Sequence, residues 1–459
     1  MVHLTEIAVT DLIAKEKEKS SPATKEKLKP MFFTLRHYLN NTTKLACKFT
    51  PNNYMNGPGK QRLYAKDLDF PPIWRDYLSR LLPKSTFYLS PFSDLMAELP
   101  LDARAINMMM YIGHEGTYTP AHKEMCASIG HNIMVATEKD SSAIWFMTET
   151  KDRSAFAEYW TNVLGHDIEI EDYLASVEEW ADAPFTTYVV EQKVGDYVLV
   201  PPAAAHQVWN RGEMTIKLAW NRITPETVEM ALSEAVMKMK FVCRDEQYKI
   251  KSILHLTLLK YADILEGLIQ PSSTDTSTIK RDFSRLYHLF DQVLIDEHFS
   301  LDHPKPDAAR IPNEYNVVCA YCRGNIFNRF LTCKRCVVAE IDEHGVETEE
   351  LDFYEVCIDC YTLGRGCKCV AGLCWVEQYD WDFLVAQHSR FRALMEQIGG
   401  NRSKPLIEGV KSLGRKTHAR VCQELLLVLP IRDIKHDEAP AQVGIPFFCV
   451  ASHLILIPL

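Results

Sequence analysis

No run of this sequence reaches the ~18 consecutive apolar residues that a membrane-spanning helix needs. Basic residues are outnumbered, with 51 Lys and Arg against 61 Asp and Glu and a formal net charge of −10. That balance excludes a surface coated in positive charge, so any contact with nucleic acid has to come from a local cluster of Lys and Arg. It suits a basic partner such as a histone tail. The first residues carry Glu6 and Asp11 and lack the apolar core of a secretory signal, so the expectation is a chain without an export signal. Cysteine is sparse outside one short block. Cys47, Cys126, Cys243, Cys422 and Cys449 are scattered and read as core thiols, whereas nine of the 14 cysteines lie between Cys319 and Cys374. Apart from the CxxC pairs in that block there is no internal repeat.

The 459 residues suffice for two or three domains, and a 47% hydrophobic, 10% aromatic composition can fill a sizeable core. Residues 1–30 contain the charged stretch "AKEKEKSSPATKEKLK" and read as a flexible arm with a solvated charge run. Residues 31–240 are rich in short strand-like runs: "SAIWFM" (142–147), "TTYVVEQ" (186–192), "DYVLVP" (196–201) and "MTIKLAW" (214–220). Two short helical stretches near 153–163 and 170–181 interrupt them, a pattern expected of a sandwich or jelly roll. Thr224-Pro225 then offers a hydroxyl cap and a first-turn proline for a helix. Residues 241–312 read as a helical linker region. In it Phe283, Leu286, Tyr287, Phe290 and Leu294 share one face of a helix over 280–298, and "DHPKPDAARIP" (302–312) closes it. The cysteine-rich block occupies 313–380. Residues 381–459 hold a helix near 381–398, ended by Gly399-Gly400, and an apolar tail, "IPFFCVASHLILIPL", that reads as a buried strand.

The triplet His122-Lys123-Glu124 is the first chemical signal. In an extended segment residues two apart point to one face, so His122 and Glu124 project together and Lys123 points away. Alone, the pair does not distinguish a metal site from two surface residues. A third ligand from a distant strand would complete one face of an octahedron and leave positions open, the two-histidine-one-carboxylate arrangement of non-haem iron oxygenases. His206, which follows the turn "VPPAAA", is the candidate.

The segment "HQVWNRGEMTIKLAWNRITPE" (206–226), together with "TPAHKEM" (119–125), resembles the JmjC family of Fe(II)- and 2-oxoglutarate-dependent oxygenases over about residues 60 to 240. The resemblance implies a mixed α+β fold, a double-stranded β-helix of the jelly-roll or cupin type with flanking helices. It implies His122, Glu124 and His206 as iron ligands. It also implies Thr119, Asn132 and Lys139 as contacts to 2-oxoglutarate, and Tyr111 as a wall of a methylated-lysine pocket. Each has a plainer reading: Thr119 as a strand residue, Asn132 as a partner for buried backbone, Lys139 in "TEKD" as a solvated turn, and Tyr111 as core. His114 and His131 fit no ligand position and read as structural or peripheral. The implied reaction couples decarboxylation of 2-oxoglutarate to succinate with hydroxylation of a C–H bond. On an N-methyl group this ends in formaldehyde and demethylated lysine.

Repeated CxxC pairs on tight turns present thiolates at tetrahedral angles and point to Zn(II). Cys319, Cys322, Cys357 and Cys360 are expected to share one ion. Cys333 and Cys336 would share a second with two of Cys367, Cys369 and Cys374. The interleaving resembles RING, PHD and ZZ cross-brace fingers and the four-CxxC region of plant and fungal chromatin proteins. His344 reads as a loop residue.

The expected function is thus a nuclear histone lysine demethylase with an appended zinc module. It would act on a histone tail or another protein carrying methyl-lysine, with chromatin proteins as partners through the zinc module and no membrane contact. The alternatives are a JmjC side-chain hydroxylase and a non-catalytic chromatin-binding factor. There is no evident JmjN segment or reader domain, and the zinc module follows the oxygenase segment rather than preceding it.

Overall fold

The structure, a computed structural model, describes residues 34–49, 63–69, 72–91, 93–269, 276–313, 315–341, 347–367, 373–400 and 404–428. The charged arm, the apolar tail with Cys449, Cys369 and His344 lie outside the described residues. The chain divides into two compact units, one of Met1–Asp94 with Ile106–Ile223 and one of Leu95–Ala105 with Thr224–Leu459.

The first unit is built on two antiparallel sheets. Its strands are β1 (Ala65–Leu68), β2 (Met108–Gly113), β3 (Tyr118–His122), β4 (Ile129–Glu138), β5 (Ser142–Met147), β6 (Tyr188–Gln192), β7 (Tyr197–Val200), β8 (His206–Arg211) and β9 (Met214–Arg222). One sheet has the order β1-β2-β9-β4-β7 and the other β3-β8-β5-β6, so from β2 onward the chain changes sheet at every step except β5 to β6. Met134 and Val198 from the first sheet pack with Trp145, Met147 and Val208 from the second, closing the sandwich interior. Outside the second sheet, Phe146 and Trp209 meet Phe156, Trp160 and Trp180 from the intervening 148–187 segment. Of the two helical stretches expected there, Arg153–Asn162 forms fully. The second is confined to Val177–Ala181, because Ser176 and Glu179 build a capping box that starts the helix there.

The second unit opens on the expected cap: the Thr224 hydroxyl accepts from the Thr227 backbone amide, with Pro225 at the first helical position. Helices Ile250–Leu265, Thr276–Asp296 and Trp381–Gln397 pack together, and Phe283, Leu286, Tyr287, Phe290 and Leu294 are all buried. A four-stranded sheet ordered β10-β13-β11-β12 joins them, with β10 (Ala308–Arg310), β11 (Arg329–Ile341), β12 (Glu347–Cys357) and β13 (Leu373–Glu377). Arg329 is only 1% exposed. Its guanidinium lies 3.8 Å from the Phe299 ring centroid and 3.9 Å from that of Trp381, and it pairs with Glu377 at 2.7 Å. No helix among the described residues is long and apolar enough to cross a membrane.

His255 sits fully buried among Phe290, Phe327, Tyr379 and Phe383, and neither ring nitrogen has a hydrogen-bond partner among the described residues. Burial lowers its pKa to about 4. The unfolded chain therefore takes up this proton below about pH 6.5, while the folded unit refuses it until about pH 4. Stability is complete above that window and falls by about 3 kcal/mol as the pH is lowered through it. Urea unfolding followed between pH 7 and 4 should show this slope, and His255→Phe should flatten it.

Candidate active site and cysteine clusters

The site begins with strand pairing. His122 lies directly opposite His206 in the β3–β8 ladder, and their ring centroids are 4.0 Å apart. The ladder is irregular between Thr119 and His122, which lets two residues three apart face the same cavity. Past His122 the chain stays extended at Glu124 (φ −62°, ψ 137°), so its carboxylate returns to the histidine side. The ligand atoms of His122, Glu124 and His206 all lie within 4.8 Å of one another, and His206 Nε2 is 3.4 Å from Glu124 Oε1.

Each of these side chains is oriented by a neighbour. His122 Nδ1–H donates to the Pro120 carbonyl (2.9 Å) and His206 Nδ1–H to the Ala204 carbonyl (3.2 Å). A carbonyl can only accept, so both rings carry their proton on Nδ1 and present a lone pair at Nε2. Asn221 Nδ2 donates to Glu124 Oε2 (2.6 Å) and to Ser128 Oγ (2.8 Å). Burial alone would raise the Glu124 pKa. In the metal-free chain a hydrogen bond from His206, the charges that His206 and His122 carry once Nε2 is protonated as well, and the Asn221 amide instead bring it down to about 2. After Glu124 the chain turns through Cys126 and Ala127, both left-handed (φ 53° and 51°), and enters β4 with Gly130 beneath the carboxylate.

Lys123 points to the other side, as alternation requires, and pairs with Glu169. The 164–176 segment continues along this outer face. Tyr173 O accepts from the Ala121 amide, and Ala175 exchanges two hydrogen bonds with the Gln207 side chain, both 2.8 Å.

The three side chains border a cavity of about 110 Å³. Thr119, Asn132 and Tyr111 also line it, but Lys139 does not. β4 ends at Glu138, and Lys139 sits beyond it in a turn with φ 42°. Its side chain is 72% exposed and paired with Glu213, away from the cavity lining. The cation in the cavity is Lys217, which the sequence reading missed. Along β9, Lys217, Ala219 and Asn221 alternate onto the cavity face. Lys217 is 2% exposed; its ammonium donates to Asn210 Oδ1 at 2.7 Å, and among the described residues no carboxylate pairs with it. Desolvation lowers its pKa to about 7. Alternation within "MTIKLAWN", anchored on Asn221, is the signal that could have found it.

Tyr64 was also missed. It lines the cavity with its buried phenol beside Asn210 and Thr119. Tyr111 Oη donates to Asp67 Oδ1 at 2.7 Å, and the two tyrosine rings are 6.4 Å apart. His131, read as structural or peripheral, lines the cavity as well. Its Nε2 accepts from Arg222 Nε (2.9 Å), its Nδ1–H faces Tyr197 Oη, and burial with the Arg222 charge lowers its pKa to about 3. His131 is therefore a neutral wall residue, whereas His114 is buried away from the cavity, its ring nitrogens against the Glu115 and Leu63 carbonyls.

In the second unit the Sγ atoms of Cys319, Cys322, Cys357 and Cys360 lie within 4.8 Å of one another, and those of Cys333, Cys336 and Cys367 form a second such group. Backbone amides point at the sulfurs, from Cys357 to Cys319, Cys360 to Cys357 and Cys336 to Cys333, each 3.4 Å. Cys374 is exposed on β13 and outside both groups. Two cations stand beside the first group: Lys240, bonded to Asp359 at 2.8 Å with its stem 3.4 Å or less from where a Gly324 side chain would lie, and Arg365, 3.8 Å from Cys360 Sγ.

A Cβ on Gly130 would lie 2.5 Å from Glu124 Oε1. Gly130→Ala is therefore expected to displace the carboxylate and weaken divalent-metal binding by about tenfold or more, with the far-ultraviolet circular dichroism unchanged. Titration with Mn(II) checks this.

Comparison with known proteins bears on the same stretch. C-module-binding factor A of Dictyostelium discoideum is 29% identical over 325 residues, covering 67% of this chain and 31% of that protein. The chain thus spans under a third of the length of that relative. Residues 109–221, from β2 to the end of β9, match the model of the "JmjC domain, hydroxylase" family. A JmjC domain is therefore present in the first unit, and the converging His122, Glu124 and His206 lie within it.

Proposed function

We propose that the first unit is an Fe(II)- and 2-oxoglutarate-dependent dioxygenase that demethylates lysine in a histone tail or another nuclear protein. One observation carries this reading. The wall that gathers two Nε2 lone pairs and a carboxylate also holds Lys217, a buried ammonium with no acidic partner among the described residues. An uncompensated buried cation is costly, and an anionic ligand removes the cost. The donor set fits both groups. His122, Glu124 and His206 would hold the iron and leave positions open. Lys217, with Thr119, Asn132 and Tyr64, would take the free carboxylate of the cosubstrate.

When bound, iron and 2-oxoglutarate supply oxygen activation coupled to decarboxylation. The chain's part is positioning. The Pro120 and Ala204 carbonyls lock the two imidazoles, Asn221 holds Glu124 ionised, and the sandwich interior excludes water. Tyr111, fixed by Asp67, forms with Tyr64 the aromatic side of the cavity where a methylated ammonium is received. Hydroxylation of an N-methyl group there releases formaldehyde from the amine.

In the second unit we assign Zn(II) to Cys319, Cys322, Cys357 and Cys360. A second Zn(II) belongs to Cys333, Cys336 and Cys367, its fourth donor being Cys369 or Cys374. Four thiolates and Zn(II) carry a net charge of −2, which Lys240 and Arg365 offset. The module would offer a docking surface for chromatin proteins.

The name of C-module-binding factor A supports a second reading, in which the JmjC domain binds partners without turnover. Incubation with Fe(II), 2-oxoglutarate and a panel of methylated histone peptides separates the two by mass. Loss of about 14 Da per methyl group with formaldehyde released supports demethylation. Gain of one oxygen identifies a side-chain hydroxylase, and iron binding without turnover favours the binding factor. His122→Ala should abolish turnover. Lys217→Met should raise KM for 2-oxoglutarate by about 10- to 100-fold, since a charge-assisted contact is lost, while Lys139→Met should leave it unchanged.

For the zinc module, a strong chelator should unfold the cysteine block, followed by near-ultraviolet circular dichroism. Lys240→Met should lower zinc affinity by about tenfold in a competition titration with a chromogenic chelator.

A further inference from the structure

We infer that Gln192 is a positioning residue that fixes, through one buried amide, both the donor face Asn132 turns to the cosubstrate and the seat of the His206 ring. This rests on the dioxygenase reading of the cavity. Gln192 ends β6 in one sheet, is 0% exposed, and is not itself part of the cavity wall. Asn132 is on β4 in the other sheet, so the hydrogen bond between them, Gln192 Nε2 to Asn132 Oδ1 at 3.1 Å, ties the sheets together.

The orientation of the two amides follows from one group that has no choice. The Trp145 indole N–H can only donate, and it points at Gln192 Oε1 at 2.9 Å. Nε2 of Gln192 must then face the other way, where two acceptors meet it: Asn132 Oδ1 and the Asp196 carbonyl at 3.3 Å. A flipped Gln192 would set N–H against N–H at Trp145 and oxygen against oxygen at Asp196. With its oxygen engaged, Asn132 presents its NH₂ group to the cavity. It does so beside Lys217: Asn132 is opposite Ala219 in the β4–β9 ladder, two residues along β9 from Lys217. The cavity therefore offers donors toward a carboxylate at both positions.

The same amide acts on the metal side. Trp145, held by its indole N–H, stacks on His206 with centroids 5.8 Å apart and planes at 17°. The Ala204 carbonyl fixes one edge of the imidazole and Trp145 backs its face. A polar cluster of this kind orients its members as a unit, so loss of the Gln192 amide reaches both ends.

The test is a double-mutant cycle on the full chain loaded with Mn(II), reading the dissociation constant of 2-oxoglutarate without turnover. Gln192→Met keeps the volume and loses both hydrogen-bonding groups. It is expected to weaken 2-oxoglutarate by about tenfold in the wild-type background, and to add less than about twofold in Asn132→Ala, because its effect passes through Asn132. Mn(II) affinity should fall as well, and the near-ultraviolet dichroism of Trp145 should change. Trp145→Phe keeps the stack but removes the indole N–H, freeing Gln192 to rotate. It should weaken 2-oxoglutarate in the same way, which holds the test open if Gln192→Met does not fold. Additive effects of Gln192→Met and Asn132→Ala, or unchanged 2-oxoglutarate affinity in Trp145→Phe, would overturn the inference while leaving the dioxygenase reading intact. Failure of the wild-type protein to bind 2-oxoglutarate would overturn that reading, and this inference with it.

Discussion

The interior of the sandwich is arranged around a lysine that has been brought inside without a counter-charge among the described residues. Lys217 is held by Asn210, which in turn accepts from the Thr215 hydroxyl and donates to the Thr117 hydroxyl (3.1 and 3.0 Å). The fit leaves no slack, because a Cβ on Gly113 would fall 2.2 Å from Asn210 Nδ2. Such a group costs stability rather than adding to it. Its presence makes sense as preorganisation, in which the cost of desolvating the cation is met by folding rather than at each binding event. The histidine and carboxylate cluster follows the same logic at the other side of the cavity. There the Pro120 and Ala204 carbonyls orient the two imidazoles and the Asn221 amide orients the carboxylate.

Much of this was legible in the sequence, and the limits have physical causes. Period-two alternation around His122 and Glu124 and the turn before His206 were local signals, and the structure brings the three residues together. The turn between β4 and β5 was less legible. The family resemblance implied Lys139 by its distance from His122, but such a distance counts residues and does not see where a strand ends. β4 stops at Glu138, so the lysine one residue later belongs to solvent. Lys217 is on β9, five strands further along the chain. Its burial depends on the register of β9 against β2 and β4, which no local pattern encodes. Tyr64 and Gln192 were invisible for the same reason, since their meaning comes from partners 55 and 60 residues distant.

The second unit shows the converse. Its cysteines announce themselves by spacing, whereas the groups that hold it together do not. Arg329 between Phe299 and Trp381, and His255 among four aromatic rings, are ordinary residues in the sequence, made exceptional only by what folds around them. Small cysteine modules have little apolar area of their own. Here the block shares a core with Phe299, Ala419 and Cys422 from the flanking segments, so its stability is tied to the segment after Asp296 and to the helix His418–Val428.

The middle residue of the His-Lys-Glu triplet carries a mechanical consequence. Lys123 is anchored to Glu169, Ala121 to Tyr173 and Gln207 to Ala175, so the 164–176 segment acts as a brace riveted to β3 on both sides of His122 and to β8 next to His206. A force applied to that outer segment is passed through these links to the residues next to the two imidazoles. The distance between His122 and His206 is thus set by the outside of the sheet as much as by the cavity within.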